Sequence, residues 1–205
     1  MTKVFLHVGC GGARQENTTP GFAGPEWKEL RVDIDPAAQP DFVCSITDMK
    51  EVASESVDAL YSSHNIEHLY AHEVPLALQE FRRVLRPDGF AVITCPDLQS
   101  VAALIAADQL TDTAYVSPAG PIAPLDILYG HRASIAAGNL FMAHHCGFTS
   151  KVLGGTLLQT GFHHAAMANR AAPHFDLWAL AAKGPMDEVA LRALATQHFP
   201  RQPVA

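Results

Sequence analysis

An α/β fold is predicted: a doubly wound, mostly parallel sheet that ends in an antiparallel strand pair. Three observations lead there. Short apolar runs alternate with amphipathic stretches, the first run opens into a glycine cluster, and the last two strand-like runs are joined by a connection too short for a crossover. Composition agrees, since apolar residues make up 48% and charged ones 17% of 205 residues, enough to bury a core. The chain reads as one domain over residues 1–205, with an irregular cap at about 108–149.

Residues 4–8 form the first expected strand and run directly into His7-Val-Gly-Cys-Gly-Gly12. Residues 30–34 form the second, which ends on Asp33. The connection between them carries Thr18-Thr-Pro-Gly21 and cannot hold a long helix, so the first crossover helix is shortened or replaced by a loop. Residues 42–44 make a short third strand leading to Asp48, and residues 57–61 a fourth.

An amphipathic helix follows, with Leu76, Leu78, Phe81, Val84 and Leu85 at helical spacing and Pro75 in its first turn. Arg86-Pro-Asp-Gly89 ends it as a turn before a fifth strand at 90–95. Residues 98–107 are helical and alanine-rich. Residues 111–138 are too rich in Pro and Gly for sheet framework and too apolar for disorder, which suits an ordered cap over a site. Residues 150–160 return to helix. Residues 164–171 and 175–182 then pair as antiparallel strands, making seven in all.

Several function classes drop out on charge and composition. A formal net charge of −7 argues against a broad nucleic-acid surface, which needs clustered Lys and Arg. The four cysteines are scattered without a C-x-x-C pair, as expected of reduced, cytoplasmic thiols. Neither a signal peptide nor a membrane-length apolar run is expected.

Glycines behind the first strand and an acidic residue about 20 positions later form the layout of a nucleotide-type cofactor site. Gly9 and Gly11 let the backbone approach a ligand, and the Asp33 carboxylate matches two adjacent ribose hydroxyls. Asp35, before Pro36, reads as a turn or cap residue. His64, His68 and His72, each four apart, raise a metal site, but Pro75 starts a new helix beside them and no His-Glu-x-x-His pattern exists. No metal is expected.

Five ordered stretches resemble the class I S-adenosylmethionine-dependent methyltransferases, of the small type-11-like group. They are His7-Val-Gly-Cys-Gly-Gly12, Val32-Asp-Ile34, Thr47-Asp-Met49, Val57-Asp-Ala-Leu-Tyr-Ser-Ser-His-Asn-Ile-Glu-His-Leu69 and Phe81-Arg-Arg-Val-Leu-Arg-Pro-Asp-Gly89. Together they span about residues 3–97. The chain departs from the pattern in lacking the usual first helix and in placing Asp88 where the turn has a glycine. The resemblance implies a Rossmann-like methyltransferase fold with S-adenosyl-L-methionine as cofactor. It implies contacts from Gly9, Cys10, Gly11, Asp33, Ile34, Ser63 and His64, with Asp48 and Met49 at the adenine. The fourth strand of the resemblance is followed by a helix.

Methyl transfer to oxygen also needs a proton removed, for which His is the commonest base. Asp126, Tyr129, His131, Arg132, His144 and His145 lie in or after the cap, and His131 and His144 are the expected catalytic residues. The expected acceptor is a small molecule or glycan, a choice made by family analogy. A non-catalytic cofactor-binding protein and a nicotinamide-dependent oxidoreductase are the alternatives. Against the second stand the absent third glycine and Asp48-Met49.

Overall fold

β1 (Lys3–Val8) lies near the middle of the sheet because its residues are apolar toward both faces: Phe5 enters one core, Leu6 and Val8 the other. The computed structural model describes residues 2–200. Beyond β1 come β2 (Trp27–Asp33), β3 (Phe42–Val43), β4 (Val57–Ser63), α1 (Val74–Val84), β5 (Leu85–Pro96) and α2 (Leu98–Ala106). The 108–149 region holds β6 (Tyr115–Ser117), β7 (Gly120–Ile122), α3 (Pro124–Tyr129) and α4 (Arg132–Ala136). α5 (Ser150–Gln159), β8 (His164–Arg170), β9 (Asp176–Ala182) and α6 (Glu188–His198) complete the described residues.

The seven-stranded sheet has the order β3-β2-β1-β4-β5-β9-β8. Its pairs from β3 through β5 are parallel, whereas β9 runs antiparallel to both β5 and β8. The expected α/β architecture is therefore the observed one. α1 (through Leu78, Phe81 and Val84) and α5 (through Leu153 and Leu157) cover one face. Arg86-Pro-Asp-Gly89 is absorbed into β5 rather than standing before it. Val57 pairs with Leu85 and Ala59 with Phe90, so the intervening residues bulge out of the ladder.

The opposite face explains the missing crossover helix. Residues 9–26 form only two single helical turns, Gln15–Asn17 and Pro20–Phe22. The fully buried Phe22 ring stacks on Phe5 at 4.4 Å and meets Trp27 edge-on at 5.1 Å. α6, which the sequence reading did not anticipate, packs against this turn with Leu191 and Ala195 in the same cluster. His198 closes it, its Nδ1 lying 2.7 Å from Thr19 Oγ1. One aromatic plug and the last helix thus fill the space of a crossover helix. The cap carries a small hairpin, β6–β7, separate from the main sheet.

Candidate active site

A cleft of about 660 Å³ lies along the carboxyl ends of β1, β2 and β4 and under the 108–149 region. This is the crevice where open α/β sheets bind ligands. Its first wall is the glycine turn. Gly9 and Gly11 both have positive φ, 56° and 49°. At Gly9 a Cβ would lie 1.8 Å from Asn65 Oδ1, while at Gly11 it would meet nothing within 4 Å. Gly9 is therefore required by Asn65, whose side-chain amide donates to the Val8 carbonyl at 2.9 Å.

The second wall is the end of β2. Asp33 is buried, with its carboxylate accepting from Gly11 N–H at 2.7 Å and from Asp35 N–H at 2.9 Å. Asp35 accepts from Ala37 N–H at 2.8 Å, the capping role expected of it. A carboxylate has about four acceptor positions, so Asp33 keeps capacity for a ligand hydroxyl. Arg31, almost wholly buried, donates to the carbonyls of Gly11, Ala38 and Gln39 and so ties the two walls together. Ile34, 50% exposed, presents an apolar face to the cleft beside Cys44, Ser45 and Ile46.

At the other end the cap is stitched shut on itself. Asp126 accepts from Arg132 Nε at 2.7 Å and Nη2 at 3.1 Å, and from Ala123 N–H at 2.9 Å. The Arg132 guanidinium holds the Asp126 carboxyl down at about 2. His131 lines the cleft, its Nδ1 at 2.7 Å from Ser134 Oγ. His144 also lines it. Its Nδ1 donates to the Ile127 carbonyl at 2.8 Å, and burial lowers its pKa. Gly130, at φ 95°, allows the Met142 carbonyl to pass where a Cβ would be 1.9 Å away.

The floor between the two ends carries the turn Ile66–His68 instead of the full helix implied after the fourth strand. His64, at φ 53°, places its Nδ1 3.3 Å from Glu67 Oε1. Burial pushes the His64 pKa down, but the Glu67 carboxylate outweighs it and the net direction is up. Burial would likewise push Glu67 up; His64 and His68 reverse that and hold it below the usual carboxylate range. His68 Nδ1 donates to the Ala143 carbonyl at 3.0 Å, and its ring meets that of His144 at 4.8 Å.

The structure thus gathers Gly9, Gly11, Asp33, Ile34, His64, His131 and His144 around one cleft. Four expected residues stand elsewhere. Cys10 is buried, which raises its thiol to about 11, and Ser63 bonds Thr94 Oγ1 at 2.9 Å; neither side chain lines the cleft. Met49 is fully buried in the core under α1, and Asp48 points outward to Lys50 at 3.4 Å. The physical reason is the turn closed by Asp48 N–H on the Ser45 carbonyl. It leaves Ser45 and Ile46 on the cleft and drops Met49 beneath it, where Glu80 accepts its N–H at 2.8 Å. Tyr129 and Arg132 are likewise outside the lining, and His145 stacks on Tyr70 at 4.3 Å. Sequence reasoning missed Asn65, Arg31 and Glu67, and set His68 aside with the histidines at spacing four. The signal for Glu67 and His68 was present as Ile66-Glu-His68 just after β4, but burial of Glu67 cannot be read from spacing.

Comparison with known proteins adds a partial family match. A family model described as Methyltransferase domain matches residues 6–93, a little under half of the chain. No curated protein sequence matches it. Among solved structures the chain is similar to Burkholderia thailandensis 1,6-didemethyltoxoflavin-N1-methyltransferase with bound 1,6-didemethyltoxoflavin and S-adenosylhomocysteine. That likeness has 16% identity and a TM-score of 0.56, and covers 90% of this chain and 72% of that one. It is similar to a SAM-dependent methyltransferase from Methanosarcina mazei (15% identity, TM-score 0.58, covering 89% and 93%). A SAM-dependent methyltransferase from Archaeoglobus fulgidus is also similar (15% identity, TM-score 0.56, covering 89% and 86%). At such identities the structural likeness establishes the fold. The residues present fit S-adenosylmethionine: an open glycine turn, a carboxylate at the end of β2 and an apolar wall at Ile34 and Ile46 border one cleft. Family match, fold and cleft point the same way: residues 6–93 match a methyltransferase domain, and the fold is one shared with S-adenosylmethionine-dependent methyltransferases.

Proposed function

We propose that this protein is an S-adenosylmethionine-dependent methyltransferase that acts on a small-molecule or glycan-type acceptor held beneath the 108–149 cap, with His131 as the general base. The carrying observation is the continuity of the cleft. It runs from Gly9, Gly11 and Asp33 to the cap residues Tyr115, Ile122 and His131 without a break. Gly9, Gly11, Asp33, Ile34, Ile46 and His64 would border the cofactor, which supplies a methyl group on an already activated, positively charged sulfur. The chain's own task is then to align the acceptor, exclude water and take up a proton. The cap supports the first two. Its Asp126–Arg132 pair and β6–β7 hairpin hold a roof over the acceptor end.

His131 suits the third. With Nδ1–H donated to Ser134, its Nε2 keeps a free lone pair toward the cleft. Reduced thiols at Cys10, Cys44, Cys95 and Cys146 suit a cytoplasmic setting. A cleft of about 660 Å³ and the −7 net charge favour a small acceptor over a nucleic acid.

The test is turnover of labelled S-adenosylmethionine against a panel of phenols, hydroxylated heterocycles and sugars, with proteins and RNA as competing acceptors. A small acceptor is expected to be methylated. His131→Ala should lower kcat by about 100-fold or more and leave S-adenosylhomocysteine affinity, read by calorimetry, within about twofold. Label confined to protein or RNA would overturn the acceptor class, and an unchanged kcat would remove His131 as the base.

A further inference from the structure

Glu67 is the most anomalous group in the described residues. Its side chain is 1% exposed, yet neither carboxylate oxygen has a hydrogen-bond partner. The nearest cation-capable atom, His64 Nδ1 at 3.3 Å, is within ion-pair distance but does not complete a hydrogen bond. A buried carboxylate left so costs several kcal/mol unless something compensates it. Such a group in a native fold calls for a missing water or ion, or a functional role.

Its neighbours suggest which. Glu67, His68 and His144 each bring one donor atom to within 4.8 Å of the others. Both imidazoles are already oriented. His68 Nδ1–H donates to Ala143 and His144 Nδ1–H to Ile127, which leaves each Nε2 with its lone pair free. Backbone carbonyls on the far nitrogen are the usual way metal-ligating histidines are held in tautomer and direction. The main chain of the third residue is anchored too, because the Glu67 backbone carbonyl accepts from His145 N–H at 2.9 Å and Cys146 N–H at 3.2 Å. Two segments far apart in sequence are thereby pinned together, with the carboxylate within 4.8 Å of a donor atom on each ring.

We infer that Glu67, His68 and His144 form a binding site for a divalent transition-metal ion at the floor of the cleft. Two imidazoles and one carboxylate suit zinc, iron(II), cobalt or manganese, whereas magnesium and calcium prefer all-oxygen shells. Metal–donor distances of about 2.0–2.2 Å require the three donors to close by about an ångström. That is within reach of small χ rotations. All three residues line the cleft, so the remaining coordination positions face the space assigned to the acceptor. A water or acceptor oxygen completing the shell would have its pKa lowered there. Of the histidines that the sequence grouped at spacing four, only His68 belongs to this site: His72 stacks near Tyr70 instead, and His144 takes its place.

The test uses the full chain, stripped with chelator and titrated with Co2+ by visible absorption and with Zn2+ by calorimetry. One ion per chain is expected, with d–d bands for Co2+. His68→Ala and His144→Ala should each weaken binding at least 100-fold, and Glu67→Gln at least tenfold. Retained S-adenosylhomocysteine binding certifies that each variant is folded. Absence of binding by the wild-type chain up to millimolar metal would overturn the site. So would binding that survives both His→Ala changes, which would assign the ion to surface histidines. These outcomes do not depend on methyl transfer, so the metal site and the acceptor reading fail separately.

Discussion

Two histidine-lined regions on the two sides of this molecule use the same residue type to opposite ends. His198 is sealed under the first connection among Thr19, Phe22 and Phe90, 1% exposed and with a hydroxyl partner at 2.7 Å. Glu67 is as deeply set, but the half-buried His68 and His144 beside it line a cleft, and its carboxylate has no hydrogen-bond partner. Burial with every partner present stabilises a fold. Burial with a partner missing, beside open volume, marks a place built for something else.

The difference yields graded expectations. Phe22→Ala should do the most damage on the sealed side, since it deletes a fully buried ring stacked on Phe5. A loss of about 3–5 kcal/mol in urea unfolding is expected, with S-adenosylhomocysteine affinity of the remaining folded protein unchanged. A loss below about 1 kcal/mol would mean that α6 alone fills the gap.

The next effect is a pH dependence confined to that side. Burial lowers the His198 pKa from 6.5 to about 4. The unfolded chain therefore binds the proton first, and stability falls as pH drops from 6.5 to about 4. The loss across that window is about 3 kcal/mol, and His198→Asn should remove it from the difference between unfolding curves at pH 7 and pH 4.5. Parallel pH profiles for the variant and the wild type would show that His198 is not buried neutral.

Gly9→Ala probes the boundary between framework and cleft. The added methyl collides with Asn65, which is bonded to the end of β1. Cofactor-product affinity should fall at least tenfold, for a stability cost of about 1–3 kcal/mol. Unchanged affinity would show that Asn65 can swing away without disturbing the glycine turn.

The smallest effect belongs to the cap. Asp126 sits near pKa 2 in the folded state against an ordinary 3.8, so its contribution is present above 3.8 and fades as pH falls through about 2. Asp126→Asn should loosen the roof at neutral pH and raise the acceptor KM several-fold, with cofactor affinity unaltered. An unchanged KM would uncouple the cap from the acceptor.

Legibility differed between the two ends of the cleft. The strands, α1, the loop in place of the first helix and the β8–β9 pair were visible because apolar period, glycine and proline are local signals. Gly9, Gly11 and Asp33 were visible for the same reason: they sit at strand ends, and strand ends can be found. Asp48 and Met49 were misplaced because one turn at 45–48 decides which side of the chain meets the cleft, and its rotation is not written in residue type. α6 escaped notice because its function is to fill a void that only the folded connection creates.

By itself the sequence determined the alternation of strand and helix, the glycine turn behind β1 and the acidic end of β2, and with them one end of the cleft. Tertiary structure alone decided what the histidines do. His68 and His144 become neighbours, and Glu67 loses its solvent, only after the cap folds back over the end of β4. Proximity and burial belong to the assembled surroundings of a side chain, whereas periodicity and turn chemistry belong to the chain.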